Sequence, residues 1–380
     1  MGLPAVRLTI LAGPSVPVPL EPTLAGRFRE AKVTETDDER SVFTLTFDAG
    51  RTLGLGALDA PLIMGSPLAV NARVVLLLSF GILPQVLFDG IITQVQLTPG
   101  AGGGAATVSV TGEDLSVLLD REEKDAEYPA LDDYPQALMI LAPYAAQGLI
   151  PMAFPPTDMD PPLPIERVPT QHGTDLQQLI MLAERHGHVC YVLPGPLPGT
   201  SRFYWGPPVR VGIPQPAISV DLGPETNVTA APTFTMSALE PVTVQGSVQD
   251  PRTGTAVPVQ SGPSLQPPLA ALPLWLTAAG RLRTRRFRDS GTSTVSAFAR
   301  AQAAVELGAN AVTGTGTLDG GRYGSILRPR GLVGIRGAGW SHDGLWYAKS
   351  VEHTIRPGSY DQAFTIAREG YGSTVPVVPV

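Results

Sequence analysis

The 380-residue chain has very little cysteine and no long uninterrupted apolar run. The single cysteine, Cys190, leaves no internal disulfide possible, so nothing indicates an oxidising compartment. Residues 74–88 form the longest apolar stretch, which Ser79, Pro84 and Gln85 interrupt and which is shorter than the ~20 residues of a spanning helix. The proline-interrupted N-terminus does not have the pattern of a signal sequence. We therefore expect synthesis in the cytoplasm, without direct membrane insertion.

The charge balance argues against a nucleic-acid surface. The net charge is −7, and lysine occurs only at Lys32, Lys124 and Lys349. Because nucleic-acid-binding proteins present a broad basic surface, we expect no sequence-specific nucleic-acid partner. The hydrophobic and charged fractions, 43% and 16%, are typical of a globular protein. The 41 glycines and 39 prolines favour short strands and loops over long helices.

The first third of the chain has the period-two pattern of antiparallel strands. The glycine-rich loop at 100–104 lacks the Lys-Ser or Lys-Thr of a phosphate-binding loop and is interpreted as a hairpin tip. Because a sheet of about six strands usually closes or packs face to face, residues 1–119 are predicted to form a β-barrel. The predicted strands are residues 6–12, 27–34 and 42–48, and three consecutive strands within 74–119.

Helical periodicity begins after a charged run at 120–125, which is interpreted as solvated. A first helix is expected from Pro135, with Pro143 either kinking it or ending it early and Gly148 stopping it. A second helix shows a capping-box pattern at Thr174 and Gln177 and a C-terminal glycine, Gly187. With strands at 188–193 and 202–205, these helices predict an α+β insertion domain spanning residues 120–206.

Strand patterns return beyond residue 207 and continue towards the C-terminus. They are interrupted at 250–309 by a proline-rich segment, an arginine-rich run at 281–288 and a helix at 294–307. Residues 207–380 are therefore predicted to form a second β-barrel. The predicted fold class is mainly β with an α+β insertion: two antiparallel β-barrel domains plus a small α+β domain.

Side chains that could carry chemistry are few and scattered. His188 and Cys190 alternate on a predicted strand and could face a zinc ion, but no second ligand cluster exists, so buried or helix-end roles for His186, His188 and Cys190 are favoured. Acidic pairs occur in loops or charged runs, where solvation is expected and a hydrolase pair is the alternative. These pairs are Glu122 with Glu123, Asp132 with Asp133, and Asp158 with Asp160. The sequence predicts no catalytic residue, no metal ligand, no cofactor and no enzyme.

Three parts of the chain together resemble the late-control D family, the tail-hub proteins of contractile phages and related injection machines. In their order and spacing these parts span most of the chain. They are residues 87–92 with 108–114 and 120–121; residues 175–187; and residues 299–304, 313–316, 331–335, 344–347, 351–353 and 358–364.

The resemblance implies a structural baseplate hub built from two tail-tube-like β-barrels per chain. Three chains would form a homotrimeric ring that joins a six-fold inner tube to a three-fold spike. The implied partners are the inner tube protein, a separate spike protein and baseplate wedge proteins. The ring would assemble in the bacterial cytoplasm and become part of a phage tail or injection particle. The chain ends before the OB domain and β-helix of fused type VI spike proteins, so a separate spike polypeptide is expected.

An assembly interface is expected on strands, arginines and the C-terminal tail. Val75 and Leu77 are predicted to face outward, where a charge would block assembly. The arginine-rich run either forms a solvated face or contacts an acidic partner. The tail at 373–380 is either a disordered end or packs on a neighbouring chain or the spike by edge pairing. The predicted interface residues are Val75, Leu77, Arg286, Arg288, Pro376 and Val378.

The alternative function is a monomeric, cell-surface carbohydrate-binding or hydrolytic β-protein. Such a protein needs exposed aromatic side chains around a cleft. Only Trp340, Trp346 and Tyr347 cluster closely enough in the sequence to serve. A monomer that binds glycans would support this alternative, whereas a trimer that co-purifies with spike and tube proteins would support the hub.

Overall fold

The computed structural model describes residues 6–14, 16–37, 39–49, 66–81, 83–99, 106–156, 159, 165, 168–237, 239–250, 254–277, 282–288 and 293–375. The glycine-rich loop at 100–104, Asp158, Asp160 and the tail residues Pro376 and Val378 lie outside them. Strands dominate the described chain and pair mostly antiparallel, with few helices. The predicted fold class, mainly β with small α+β parts, is confirmed.

The strands with a clear period-two pattern lie close to their predicted positions, whereas several short ones were not predicted. In chain order the strands are β1 Val6–Gly13, β2 Val18–Pro19, β3 Phe28–Thr36, β4 Val42–Asp48, β5 Arg73–Phe80, β6 Pro84–Thr98, β7 Thr107–Asp114, β8 Glu123–Glu127, β9 Leu149–Ala153, β10 Thr170–Thr174, β11 Val189–Pro194, β12 Ser201–Gly206, β13 Gln215–Ser219, β14 Val228–Met236, β15 Val242–Gln249, β16 Ala256–Gln260, β17 Ala270–Pro273, β18 Arg283–Arg286, β19 Val312–Asp319, β20 Leu332–Arg336, β21 Gly344–Arg356, β22 Ser359–Arg368 and β23 Gly370–Ser373. The strands that were not predicted include β8, β9, β10, β16, β17 and β18.

The helices are short apart from three. They are α1 Pro22–Ala25, α2 Asp133–Leu141, α3 Asp175–Arg185, α4 Leu274–Thr277, α5 Thr294–Leu307 and α6 Gly320–Tyr323, with 3-10 turns at Leu115–Asp120, Ala142–Gln147 and Gly223–Glu225. Pro143 sits in the 3-10 turn that follows α2, so the α-helix ends before it as predicted. No helix among the described residues is both long and apolar enough to cross a membrane.

One large sheet contains strands from both ends of the chain. Its order is β14-β19-β22-β21-β3-β4-β7-β6-β5-β1-β2, and β20 with β13 extends it from β21. The junction is the antiparallel pair β3–β21, in which Val33 lies opposite His353 and Glu35 opposite Val351. The sequence analysis did not predict this pairing, and the proposed domain boundaries at 119 and 206 stay predictions.

A buried polar cluster connects the two strands at this junction. Arg328 Nη1 lies 3.1 Å from both carboxylate oxygens of Glu35 and donates to Leu87 O at 2.6 Å. His353 Nε2 lies 3.3 Å from Glu35 Oε2, and its Nδ1 lies 2.9 Å from the Tyr360 hydroxyl. Because Glu35 and His353 are buried, each needs these partners to offset the loss of water. We name Glu35, Arg328, His353 and Tyr360 the seam cluster.

Two apolar cores flank this junction. The N-terminal core contains Phe43, Leu45 and Phe47 of β4 and Val74, Leu76 and Leu78 of β5. The C-terminal core contains Trp346, Phe364 and Ile366. In β4 and β5, alternate residues point into the core, as the period of two requires.

The α+β part between these strands has its own apolar core. Leu176, Leu179 and Leu182 of α3 pack with Phe203 and Trp205 of β12. The predicted capping box is present: Thr174 Oγ1 accepts from Gln177 N at 3.3 Å, and Gln177 Oε1 accepts from Thr174 N at 3.2 Å. Gly187 follows the helix with φ of +64°, a conformation that favours glycine.

A smaller layered unit occupies residues 242–307. Its sheet has the order β16-β15-β18, and α5 covers one side through Ala297, Ala301 and Val305. Ser293 caps α5 by accepting from Ser296 N. Helix α5 has the bounds that the sequence predicts.

Candidate functional site

One face of the large sheet is covered with small hydroxyl side chains. Because directly paired residues in neighbouring strands share a face, the register places these side chains together across eight strands. All are partly or fully exposed, while the alternate residues of the same strands are mostly buried in the two cores. We name this surface the hydroxyl face: Thr233, Thr235, Thr313, Thr315, Thr317, Thr365, Ser350, Thr354, Thr34, Thr36, Thr44, Thr46, Thr107, Ser109, Thr111 and Thr98.

The hydroxyl face is concave over the junction of the two strand groups. An open concavity of about 550 Å³ lies there, lined by residues of β3, β14, β19, β21 and β22. Thr36 lies opposite Ser350 across the β3–β21 pair, and Thr315 lies opposite Thr365 across β19–β22. The concavity therefore exists only because strands from both ends of the chain share one sheet.

Charged groups around the hydroxyl face are largely paired with one another. Lys32 Nζ lies 2.9 Å from Glu352 Oε1. At the ends of the strands, Arg29 pairs with Asp48 at 2.7 Å and Arg356 with Glu30 at 2.6 Å. The face therefore presents mainly neutral donors and acceptors; Asp361, opposite Thr354, is a carboxylate on it without an ion pair among the described residues.

Two exposed strand edges carry charge of opposite sign. In the part of the chain that the structure describes, strand β18 pairs with β15 alone and carries three arginines in four residues, all exposed. Strand β8 likewise pairs with β10 alone among the described strands and carries Glu123, Asp125 and Glu127, all exposed. Neither segment has the sequence pattern of a strand: the acidic run is expected to be solvated, and the arginine-rich run either to be solvated or to contact an acidic partner.

Two solved structures with a similar fold are tail proteins. The tail protein from Neisseria meningitidis MC58 superposes with a TM-score of 0.62 at 12% identity, covering 96% of this chain and 97% of that one. The 43 kDa tail protein of prophage MuSo2 from Shewanella oneidensis gives 0.63 at 12% identity, covering 96% and 99%. The chain shares its fold with phage tail proteins.

The same fold occurs in a secretion-system component. The E. coli c3393 protein, a component of the type VI secretion system with structural similarity to T4 bacteriophage tail proteins gp27 and gp5, superposes with a TM-score of 0.54 at 12% identity. The match covers 93% of this chain and 77% of that one. No protein-family model and no curated protein sequence matches the chain.

The zinc alternative gains no support from the positions of its residues. His186 ends α3 and its Nε2 lies 3.0 Å from Asp133 Oδ2, while the His188 ring packs edge-on against Trp205 at 4.8 Å. Burial raises the pKa of Cys190 to about 12, which keeps the thiol protonated. No group of three His, Cys, Asp or Glu side chains with metal-binding geometry occurs among the described residues.

Of the acidic pairs within the described residues, one caps a helix and forms ion pairs, and the other is exposed. Asp132 caps α2 by accepting from Asp133 N. Burial alone would raise the pKa of Asp133, but the hydrogen bond with His186 and the charge of Arg185 lower it overall. Glu122 and Glu123 are exposed at the start of β8.

The aromatic cluster expected for a glycan-binding protein does not form an exposed platform. Trp346 and Tyr347 are buried, and Trp346 lies beneath the guanidinium of Arg368, whose carbon is 4.2 Å from the ring centre. Only Trp340 is exposed. The nearby His342 stacks on Phe234 at 4.1 Å, and Asp343 accepts from Ala338 N.

The predicted interface residues differ in exposure. Val75 lies on the face of β5 opposite the N-terminal core but is fully buried within the chain, so the prediction that it is free to contact a partner chain is wrong. Leu77, two residues along the same face of β5, is partly exposed. Arg286 and Arg288 are exposed.

Proposed function

We propose that the chain is a structural, non-enzymatic baseplate hub of a contractile phage tail or injection system. Three copies would form a ring that joins the six-fold inner tube to the three-fold spike. The observation that carries this proposal is the extent of the fold similarity: 96% of the chain superposes on tail proteins that it covers almost completely. The similarity therefore includes both strand groups and the α+β part, and is not limited to a single β-barrel of a common type.

The arrangement of the large sheet supports a ring architecture. Each chain supplies two groups of antiparallel strands, each with its own core, joined side by side through β3 and β21. Three such chains present six strand groups, which matches a six-fold tube above while keeping three-fold symmetry below. The two groups have different sequences, so each can make a different contact.

The hydroxyl face suits the inner wall of such a ring. Cargo that moves through a channel must not adhere to it, and large apolar patches or unpaired charges would favour adhesion. The hydroxyl face carries mainly Thr and Ser, and the charges Lys32 and Glu352 within it are paired. We therefore assign this concave face to the channel and the opposite surfaces to contacts with other components.

The proposed partners are further copies of the chain, the inner tube protein, a separate spike protein and baseplate wedge proteins. Leu77, Arg286 and Arg288 remain proposed contact residues because each is at least partly exposed. Pro376 and Val378 remain proposed contacts with a neighbouring chain or the spike. The particle would be assembled in the bacterial cytoplasm.

Light scattering after size-exclusion chromatography tests the proposal on the purified chain. A hub should elute as three chains of 40.0 kDa, or about 120 kDa. Electron microscopy of particles from producing cells should then place the chain between tube and spike. A 40.0 kDa species that binds glycans and is absent from tail particles would refute the proposal and support the carbohydrate-binding alternative.

A further inference from the structure

Among the described residues, strand β18 is a basic edge strand with a strand partner on one side only. Arg283, Thr284, Arg285 and Arg286 are all exposed, and the strand pairs on one side only, in parallel with β15. Within the described part of the chain, no carboxylate lies within ion-pair distance of Arg283, Arg285, Arg286 or Arg288. Edge strands that present free backbone groups are templates for pairing with another chain.

Strand β8 is an open edge of opposite charge. It pairs antiparallel with β10 alone, and the register places Asp125 opposite His172 and Glu127 opposite Thr170. Glu123, Asp125 and Glu127 alternate with Lys124 and Ala126, so the three carboxylates share the outward face. The only ion pair that these carboxylates form among the described residues is between Asp125 and the exposed His172, at 2.7 Å.

The two edges match in spacing as well as in charge. Alternate residues of a strand lie about 6.6–6.8 Å apart on one face, and this applies equally to Arg283 with Arg285 and to Glu123 with Asp125. A carboxylate row can therefore lie against an arginine row without stretching either strand. Arginine is well suited to this contact because its planar guanidinium binds carboxylates with two parallel hydrogen bonds.

We propose that β18 of one copy pairs with β8 of the next copy, extending a sheet across the boundary between subunits. This contact rests on the proposed ring and names the surfaces that would close it. Because each chain carries one basic and one acidic edge, the contact is head-to-tail, and three identical contacts complete a closed three-membered ring. The backbone hydrogen bonds supply the pairing, and the charges set the choice of partner and the register.

A second copy is the occupant that the charges favour. Every copy of the chain carries both edges, and among the described residues each edge has charged side chains without an ion-pair partner. A tube, spike or wedge protein could contact either edge alone, but it would leave the other edge open.

Charge reversal provides the first test, measured by light scattering on the full chain. Arg283→Glu with Arg285→Glu should lose the ~120 kDa species, and so should Glu123→Arg with Glu127→Arg, because like charges then face each other. A chain that carries all four changes should recover that species. Arg202→Glu, an exposed arginine on the central strand β12, is the control and should keep the trimer mass. Circular dichroism should show that all variants remain folded.

Each result decides the question. If either reversed strand leaves the trimer mass unchanged, or if the fourfold variant fails to recover it while remaining folded, the contact does not exist as proposed. In both cases a wild-type trimer would still stand as support for the hub. A mass of 40.0 kDa for the wild-type protein would instead refute the proposed ring.

Disulfide trapping gives a direct second test. The native Cys190 has a pKa raised to about 12 by burial, so its thiol reacts poorly at neutral pH. A chain carrying Asp125→Cys and Arg285→Cys should form covalent dimers and then covalent trimers on mild oxidation. Either single cysteine variant should not form the trimer. Oxidised material that runs only as monomer, from a sample that scatters at ~120 kDa, would overturn the pairing.

Discussion

Removing Arg328 should strongly destabilise the chain, because Arg328 balances a buried carboxylate. Glu35 is almost fully enclosed, and both of its oxygens lie 3.1 Å from Arg328 Nη1. Burial alone would raise the pKa of Glu35, but the charge of Arg328 and the hydrogen bond with His353 lower it from 4.5 to about 2. Burial also lowers the pKa of His353, so the imidazole is neutral at pH 7 and Arg328 supplies the permanent positive charge.

The magnitude follows from the pKa and from the cost of an unpaired buried charge. A pKa that falls from 4.5 unfolded to about 2 folded contributes about 3 kcal/mol at pH 7. Because the folded pKa is the lower one, this contribution is present above pH 4.5 and is lost as the pH falls towards 2. Arg328→Met removes the cation and keeps much of the side-chain volume, so we expect a loss of about 3–5 kcal/mol at pH 7.

Urea unfolding monitored by circular dichroism measures this loss. The matched control is Arg322→Met, because Arg322 forms an exposed 3.6 Å ion pair with Asp319 that should contribute less than about 1 kcal/mol. Adding Glu35→Gln to Arg328→Met should recover part of the loss, since no buried charge then remains. The deficit of Arg328→Met should also shrink as the pH falls and Glu35 becomes protonated. If Arg328→Met costs no more than the control, the seam cluster does not stabilise the junction electrostatically.

Two further variants test a local and an assembly feature. Thr174→Ala should lower the free energy of unfolding in urea by about 1–2 kcal/mol, because it removes the cap of α3 and the 2.7 Å hydrogen bond to Asp120. The control is Thr170→Ala, at an exposed position of the same strand, which should change the free energy of unfolding little. An equal loss in the two variants would argue against the cap. Leu77→Asp should lower the fraction of ~120 kDa species in light scattering while the monomer stays folded, because it places a charge on a proposed contact surface. The control is Leu83→Asp, at an exposed position beyond β5, which should leave that fraction unchanged. If Leu77→Asp forms trimers at the wild-type yield, Leu77 is not part of the interface.

The sequence predicted those elements whose signals are local. Helix α5 is bounded by a serine cap and a glycine stop, and α3 by a capping box, so their ends follow from neighbouring residues alone. Strands such as β4 alternate strictly between buried and partly exposed residues, which the period of two detects.

The features that the sequence did not predict depend on distant residues. Strands β8 and β18 carry charges rather than β-branched residues, and only their partners β10 and β15 make them strands. The burial of Val75 depends on what covers the outer face of β5, which no local pattern reports. The hydroxyl face is likewise a property of eight aligned registers, although the frequent threonines at alternate positions were visible in the sequence.

The β3–β21 junction has a consequence for the order of folding during synthesis. Glu35 and His353 are 318 residues apart, so the ribosome needs roughly 15–60 s between them at 5–20 residues per second. Throughout that interval β3 can pair with β4 but has no partner on its other side, and Glu35 has no Arg328. A nascent or truncated chain therefore presents an open edge with an unbalanced carboxylate in place of the concave face. Only a chain translated through β22 can complete that face, so incomplete chains are excluded from any assembly that requires it.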